Sequence, residues 1–147
     1  MTTTRQDVIR VARGYIDTPY HHMGRWPGLG LDCAGVMICI GRELGMVPPD
    51  FDVPAYSPHP DGNSLMAWSE EFFGHAVTQE ELQPGDVLIV KVGPRPQHIA
   101  IVGDYVHGGL SVIHSCINAT PSRVIETRLM WSRLMQFVAA FAMPGVE

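Results

Sequence analysis

Cysteine is scarce in this 147-residue chain. Three occur, an odd number without paired spacing, which excludes a secreted disulfide scaffold and predicts free thiol. Lysine is scarcer still: Lys91 stands alone against nine arginines, no run of like charge occurs and the net charge is −5, so the footprint of a nucleic-acid binder is missing. No apolar segment approaches the roughly 20 residues of a membrane span. The opening MTTTRQDVIR lacks the apolar centre of a signal peptide, so synthesis in the cytoplasm without a signal peptide and no membrane partner are expected. Cys-x-x-Cys and His-x-x-x-His pairs are also missing, which argues against zinc, and no other cofactor is called for. Gly103, Gly108 and Gly109 read as turn formers, because no helix start follows them to cradle a phosphate. Without repeats or low-complexity stretches, residues 1–147 read as a single domain, long enough to bury about two-thirds of its unfolded surface.

What is present centres on Asp32-Cys33-Ala34-Gly35. A flexible approach through Gly28 and Gly30 leads to this run, and Val36, Met37, Ile40 and Leu44 follow at helical spacing. Cys33 therefore opens a helix running to Glu43 or Leu44, with Gly45 as its stop. Unpaired N–H groups and the macrodipole favour negative charge at such an end, which biases the thiol toward the nucleophilic thiolate. Taken alone, Cys33 would pass for a small core residue. Its partners decide the matter.

Thr3 or Thr4 caps a first helix that ends near Ile16, and Pro19 keeps Thr18 out of helical geometry. The loop from Tyr20 to Leu31 carries Tyr20, His21, His22, Arg25 and Trp26, residues suited to recognition. A proline-rich surface crossing over 46–61 precedes a third helix from Asn63 or Ser64 to Phe73, whose stripe of Leu65, Trp68, Ser69 and Phe72 reads as core. Thr78 and Glu81 cap a short turn. Strands then follow over 86–92, 97–102, 112–116, 124–129 and 137–142, with a turn or short helix at 131–135. Helices first and strands afterwards give an α+β fold, with N-terminal helices packed on a roughly five-stranded antiparallel sheet.

A catalytic thiol needs a base, and the base needs an orienting group. His98 opens the apolar strand QHIAIV, and His114 lies in SVIHSC. In a hairpin, opposed residues have a constant sum; 98 and 114 give 212, centring the connection on Val106 between Gly103 and the Gly108-Gly109 pair. The two rings then become cross-strand neighbours on one face. Either nitrogen of His98, Nδ1 or Nε2, could take the thiol proton, with His114 fixing the tautomer. Cys116 shares a face with His114 and borders the site, where a disulfide with Cys33 would act as a redox brake. Cys39 reads as core, and His59, His75 and His107 as surface residues.

The pieces TPYHHMGR, LDCAG, QPGDVLIV, QHIAIV and VIHS, in this order, resemble the NlpC superfamily of papain-like cysteine peptidases that cut cell-wall peptides. The resemblance spans nearly the whole chain. It implies a papain-like fold with the nucleophile at the N-terminus of the central helix, and a catalytic set of Cys33, His98 and His114. It also implies that Tyr20 reaches the cleft to bind substrate or the oxyanion, and that Asp32 shapes the acyl-donor side. The backbone N–H of Cys33 is the expected oxyanion donor. Two departures stand out: Ala34 where most bacterial members have Ser, and His22-Met23-Gly24 where many have Trp-Gly-Gly. With Arg25 following, and the ending VIETRLMWSRLMQFVAAFAMPGV, the chain looks like the branch encoded by phages and gene transfer agents. His22 and Arg25 become candidate substrate contacts, beside Tyr20 and Asp32.

The resemblance implies a peptidoglycan stem peptide as substrate, cut at a γ-D-glutamyl bond to a diamino acid. It also implies phage-tail or tail-tip partners and a virion-associated protein delivered to the cell wall. A thiol acyltransferase, an amidase on another amide, or a catalytically dispensable tail-tip assembly protein are the alternatives.

Overall fold

The computed structural model describes residues 2–58 and 64–147, so the expectations for His59 and for Asn63 as a helix start lie outside the described residues. Helix α1, Arg5–Arg13, starts where Thr4 and Asp7 form a reciprocal capping box: Asp7 N–H donates to Thr4 Oγ1 (3.1 Å) and Thr4 N–H to Asp7 Oδ2 (2.9 Å). It stops three residues short of Ile16. The chain there turns to pair with a later strand, Asp17 N–H donating to Val124 O (2.9 Å) and Val124 N–H to Thr18 O (2.9 Å). These backbone groups take sheet partners in place of helical ones, and Asp17 adopts φ +74° at the corner.

A short antiparallel ribbon that sequence reasoning read as plain loop follows: β1, Arg25–Trp26, pairs with β2, Gly30–Leu31. Helix α2, Cys33–Glu43, has Asp32 as its N-cap, and its residues 34–41 are all buried. Helix α3 spans Ser64–Phe72. Its stripe enters the core only in part, through Leu65 and Ser69. Only Ser69 is buried, Phe72 is exposed, and Leu65 and Trp68 form a partition between two hollows.

Thr78 and Glu81 cap a 3-10 turn over Gln79–Glu81. Five strands follow: β3 Val87–Val92, β4 Arg95–Asp104, β5 Leu110–Cys116, β6 Arg123–Arg128 and β7 Met135–Phe141. They form one antiparallel sheet in the order β6-β5-β4-β3-β7. No helix forms over 131–135; Ser132 and Met135 exchange backbone hydrogen bonds around a tight turn instead. Alternation splits the sheet's apolar side chains between two faces. Val87, Ile89, Ile99, Ile101 and Ile113 pack with Val8, Ile9, Val36 and Ile40 of α1 and α2, while Leu88, Val90, Ala100, Val102 and Val112 fill the other face.

The β4–β5 register differs by two from the expected one. Ile101 pairs with Ile113 and Gly103 with Ser111, a sum of 214, so the connection centres on His107. Gly103 is not a turn residue: it lies within β4, and a Cβ there would sit 2.5 Å from Ser111 Oγ. Gly108 and Gly109, at φ +93° and +78°, make the turn. A shift of two preserves the face, so His98 and His114 become diagonal rather than opposed neighbours.

At the start of α2 the backbones come close. A Cβ on Gly35 would lie 2.2 Å from Gly24 O and 3.2 Å from both Arg25 Nη1 and Asp32 Oδ1. The nearest obstacle is backbone and cannot swing aside. Gly35→Ala is expected to lower stability by about 2–3 kcal/mol, read as a reduced urea midpoint at unchanged m-value.

Candidate active site

Cys33 is the first residue of α2 and faces a cleft of about 350 Å3 with Tyr20, Asp32, His98 and His114. The helix N-terminus does not win the contest over its proton. Burial pushes the thiol up to about 11, and the Asp32 carboxylate pushes the same way. The backbone N–H groups of Ile99 and Ala34 and the Arg95 charge act against this without reversing it. The expected bias to thiolate is therefore corrected: Cys33 rests as a neutral thiol, because lost hydration outweighs the helix end.

The two imidazoles meet. His98 Nε2 and His114 Nδ1 are 2.7 Å apart, with ring centroids at 4.9 Å and planes at 75°. This contact engages Nε2 of His98 and leaves its Nδ1 outside the pair. Burial drives both rings toward the neutral form. His114 falls to about 4, while His98 lies well below its ordinary value through burial, then the neighbouring His114 and Arg95 charges. The cleft thus holds one thiol and two imidazoles whose burial favours their uncharged forms.

Asp32 is almost wholly buried and accepts from four groups. Its Oδ1 takes Gly35 N–H (2.7 Å) and Arg25 Nη1 (3.0 Å); its Oδ2 takes Met23 N–H (2.8 Å) and the Tyr56 hydroxyl. Arg25 is spent on this wall, with Nε on Asp52 (3.1 Å), Nη1 on Asp32 and Gly24 O, and Nη2 on Tyr56 Oη (2.9 Å). Of the four residues expected to contact substrate, Tyr20, Asp32 and His22 line the cleft, whereas Arg25 stands behind it. Tyr20 is held by its N–H on Ser122 O (3.0 Å), and His22 Nε2 contacts Tyr56 O (3.0 Å).

Tyr56 and Arg95 escaped the sequence reading. Tyr56 lies in the proline-rich crossing, which is a cleft wall rather than an idle surface stretch: its ring meets His22 at 5.3 Å and Trp68 at 5.5 Å, centroid to centroid. No periodicity marks it, although an aromatic residue between prolines was a weak cue. Cys116 also lines the cleft, and Cys33, Cys39 and Cys116 are all free thiols. Among the described residues no cluster suited to a metal occurs, and no helix is long and apolar enough to cross a membrane.

No protein-family model matches this chain, and no curated protein matches it either. Solved structures do. The NlpC/p60 domain of the peptidoglycan hydrolase SagA is similar at 21% identity and a TM-score of 0.61, over 96% of this chain and 100% of that one. An NlpC/P60 family protein from Bacillus cereus is similar at 24% identity and a TM-score of 0.64, over 97% of this chain but 41% of its own length. The fold is thus the α+β, papain-like architecture of NlpC/p60 domains.

Two outcomes follow from this geometry. Asp32→Asn strips a buried charge from Arg25, and stability is expected to drop by about 3 kcal/mol in chemical denaturation, Asp52 limiting the loss. His114, neutral in the fold and titrating near 6.5 once unfolded, contributes stability that is complete above pH 6.5 and lost as pH falls toward about 4. Thermal melts across that window should show a decline in the wild type that His114→Gln flattens.

Proposed function

We propose that this protein is a cysteine peptidase that hydrolyses amide bonds in peptidoglycan stem peptides, at the γ-D-glutamyl bond to a diamino acid. The observation that carries the reading is the 2.7 Å contact between the two imidazoles at the cleft that Cys33 faces. Cys33, His98 and His114 all line this hollow, which supports roles for them as nucleophile, base and orienting group. The NlpC/p60 fold supports the substrate class, since SagA is a peptidoglycan hydrolase.

The Sγ proton passes to His98 Nδ1 as the sulfur attacks the amide carbonyl. His114 Nδ1 fixes the tautomer through His98 Nε2 and steadies the imidazolium. The backbone N–H of Cys33 is available to the oxyanion at the helix start. Collapse expels the amine, which leaves with the proton from His98, and a thioester remains. Water, deprotonated by His98, then attacks the thioester, releasing the acid and restoring the thiol. Tyr20 borders the carbonyl. The setting on a phage or gene-transfer-agent tail, with tail-tip proteins as partners, is supported by the run His22-Met23-Gly24-Arg25 and the C-terminal stretch.

Mass spectrometry of muropeptides digested by wild type and Cys33→Ala tests the reading. Wild type is expected to split stem peptides, and Cys33→Ala and His98→Ala to leave them whole. His114→Ala is expected to retain more activity than either, as an orienting residue should. Intact fragments after wild-type digestion, across hosts and pH values, would refute the proposal.

A further inference from the structure

Among the described residues that line the cleft, Asp32 and Arg95 carry the full charges, and their situations are opposite. Asp32 is answered by Arg25, the Tyr56 hydroxyl and two backbone N–H groups. Arg95 has no such partner: its guanidinium makes no hydrogen bond or ion pair among the described residues, whereas Arg5, Arg13, Arg25, Arg42 and Arg123 are each tied to a carboxylate. Its charge nevertheless reaches Tyr20, Cys33 and His98, each of whose protonation it influences. An acidic protein thus keeps, among the described residues, a positive charge without a carboxylate partner in the cleft that Cys33 lines.

The backbone puts it there. Along β3 and β4, Val90 pairs with His98 but Val92 with Arg95, so one intervening residue on β3 stands against two on β4. This bulge reverses the alternation, and Arg95 shares the parity of His98 instead of the opposite one. Its pair mate Val92 lines the same cleft. The Gly93-Pro94 turn between them, with Gly93 at φ +55°, follows the two-residue hairpin pattern with glycine first, and proline fixes the second φ. The guanidinium therefore projects from a stiff hairpin rather than a loose loop.

We propose that Arg95 is the cleft's receptor for a carboxylate that the substrate carries next to the scissile amide. The inference rests on the peptidase reading of this cleft and adds what that reading lacks, a group that selects the substrate by charge. A planar fork matches a carboxylate through two parallel N–H donations, and a lone guanidinium suits a single carboxylate better than a polyanion. Amidation of the contacted carboxylate abolishes the ion pair and one arm of the fork.

The test uses synthetic stem peptides in matched pairs, in which the glutamyl α-carboxylate or a carboxylate of the diamino acid is free or amidated. Calorimetry on Cys33→Ala measures binding without turnover. One free acid is expected to bind roughly 10- to 100-fold more tightly than its amide. In Cys33→Ala/Arg95→Gln both forms should bind with the weaker affinity, and Arg95→Lys in place of Gln should restore part of the difference. With otherwise wild-type protein, the Arg95→Gln loss should fall mainly in KM on free acids and vanish on the amides, which a general effect on the sulfur would not produce. Equal binding of acids and amides, no binding of either, or a preference that survives Arg95→Gln overturns the assignment. Cleavage without carboxylate preference sinks only the role of Arg95, while preference without cleavage sinks only the peptidase reading.

Discussion

The Asp32 carboxylate is the group on which the rest of the site depends. One buried side chain joins the first turn of α2, the loop at Met23, the guanidinium of Arg25 and the hydroxyl of Tyr56. A charge so deeply buried is tolerable only because each oxygen is answered by donors. That requirement fixes the entrance of α2, and with it the position of Cys33. It also holds the proline-rich crossing down as a wall. Position 35 must be glycine for the same reason, since the loop carbonyl at Gly24 occupies the space a methyl group would need.

Around this node burial favours the uncharged forms of the thiol and of both imidazoles. Burial raises the thiol and lowers both imidazoles, so the resting cleft holds a proton on sulfur and none to spare on nitrogen. Such a site is quiet by default. The backbone N–H groups of Ala34 and Ile99 act in the other direction, favouring negative charge on the sulfur. Desolvation and the helix end thus oppose each other at this sulfur, and desolvation prevails.

Much of this was legible in the residues, for identifiable reasons. Thr4 with Asp7, and Thr78 with Glu81, announce helix and turn starts because a capping box is a local device. The five strands are legible because β-branched runs are bounded by Gly and Pro. The pairing of His98 with His114 was accessible through hairpin arithmetic even though the register came out two residues away, since an even shift keeps the face. What escaped was non-local. Whether Phe72 enters the core depends on what packs over α3, and a bulge on β4 leaves no mark in composition. Tyr56 belongs to a wall only because Asp32, 24 residues earlier, reaches for its hydroxyl. Arg25 looked like a recognition residue by type and position, yet its donors are consumed by Asp32, Asp52 and Tyr56.

The sheet order carries a further consequence. Its central strand β4 presents His98, and β3 beside it is flanked in turn by β7, made from Met135–Phe141. In the chain, β7 follows β4, β5 and β6, yet in the sheet it lies directly against β3. That edge therefore joins segments remote in sequence, and its pairing carries a larger loop-closure cost than the β3–β4 hairpin does.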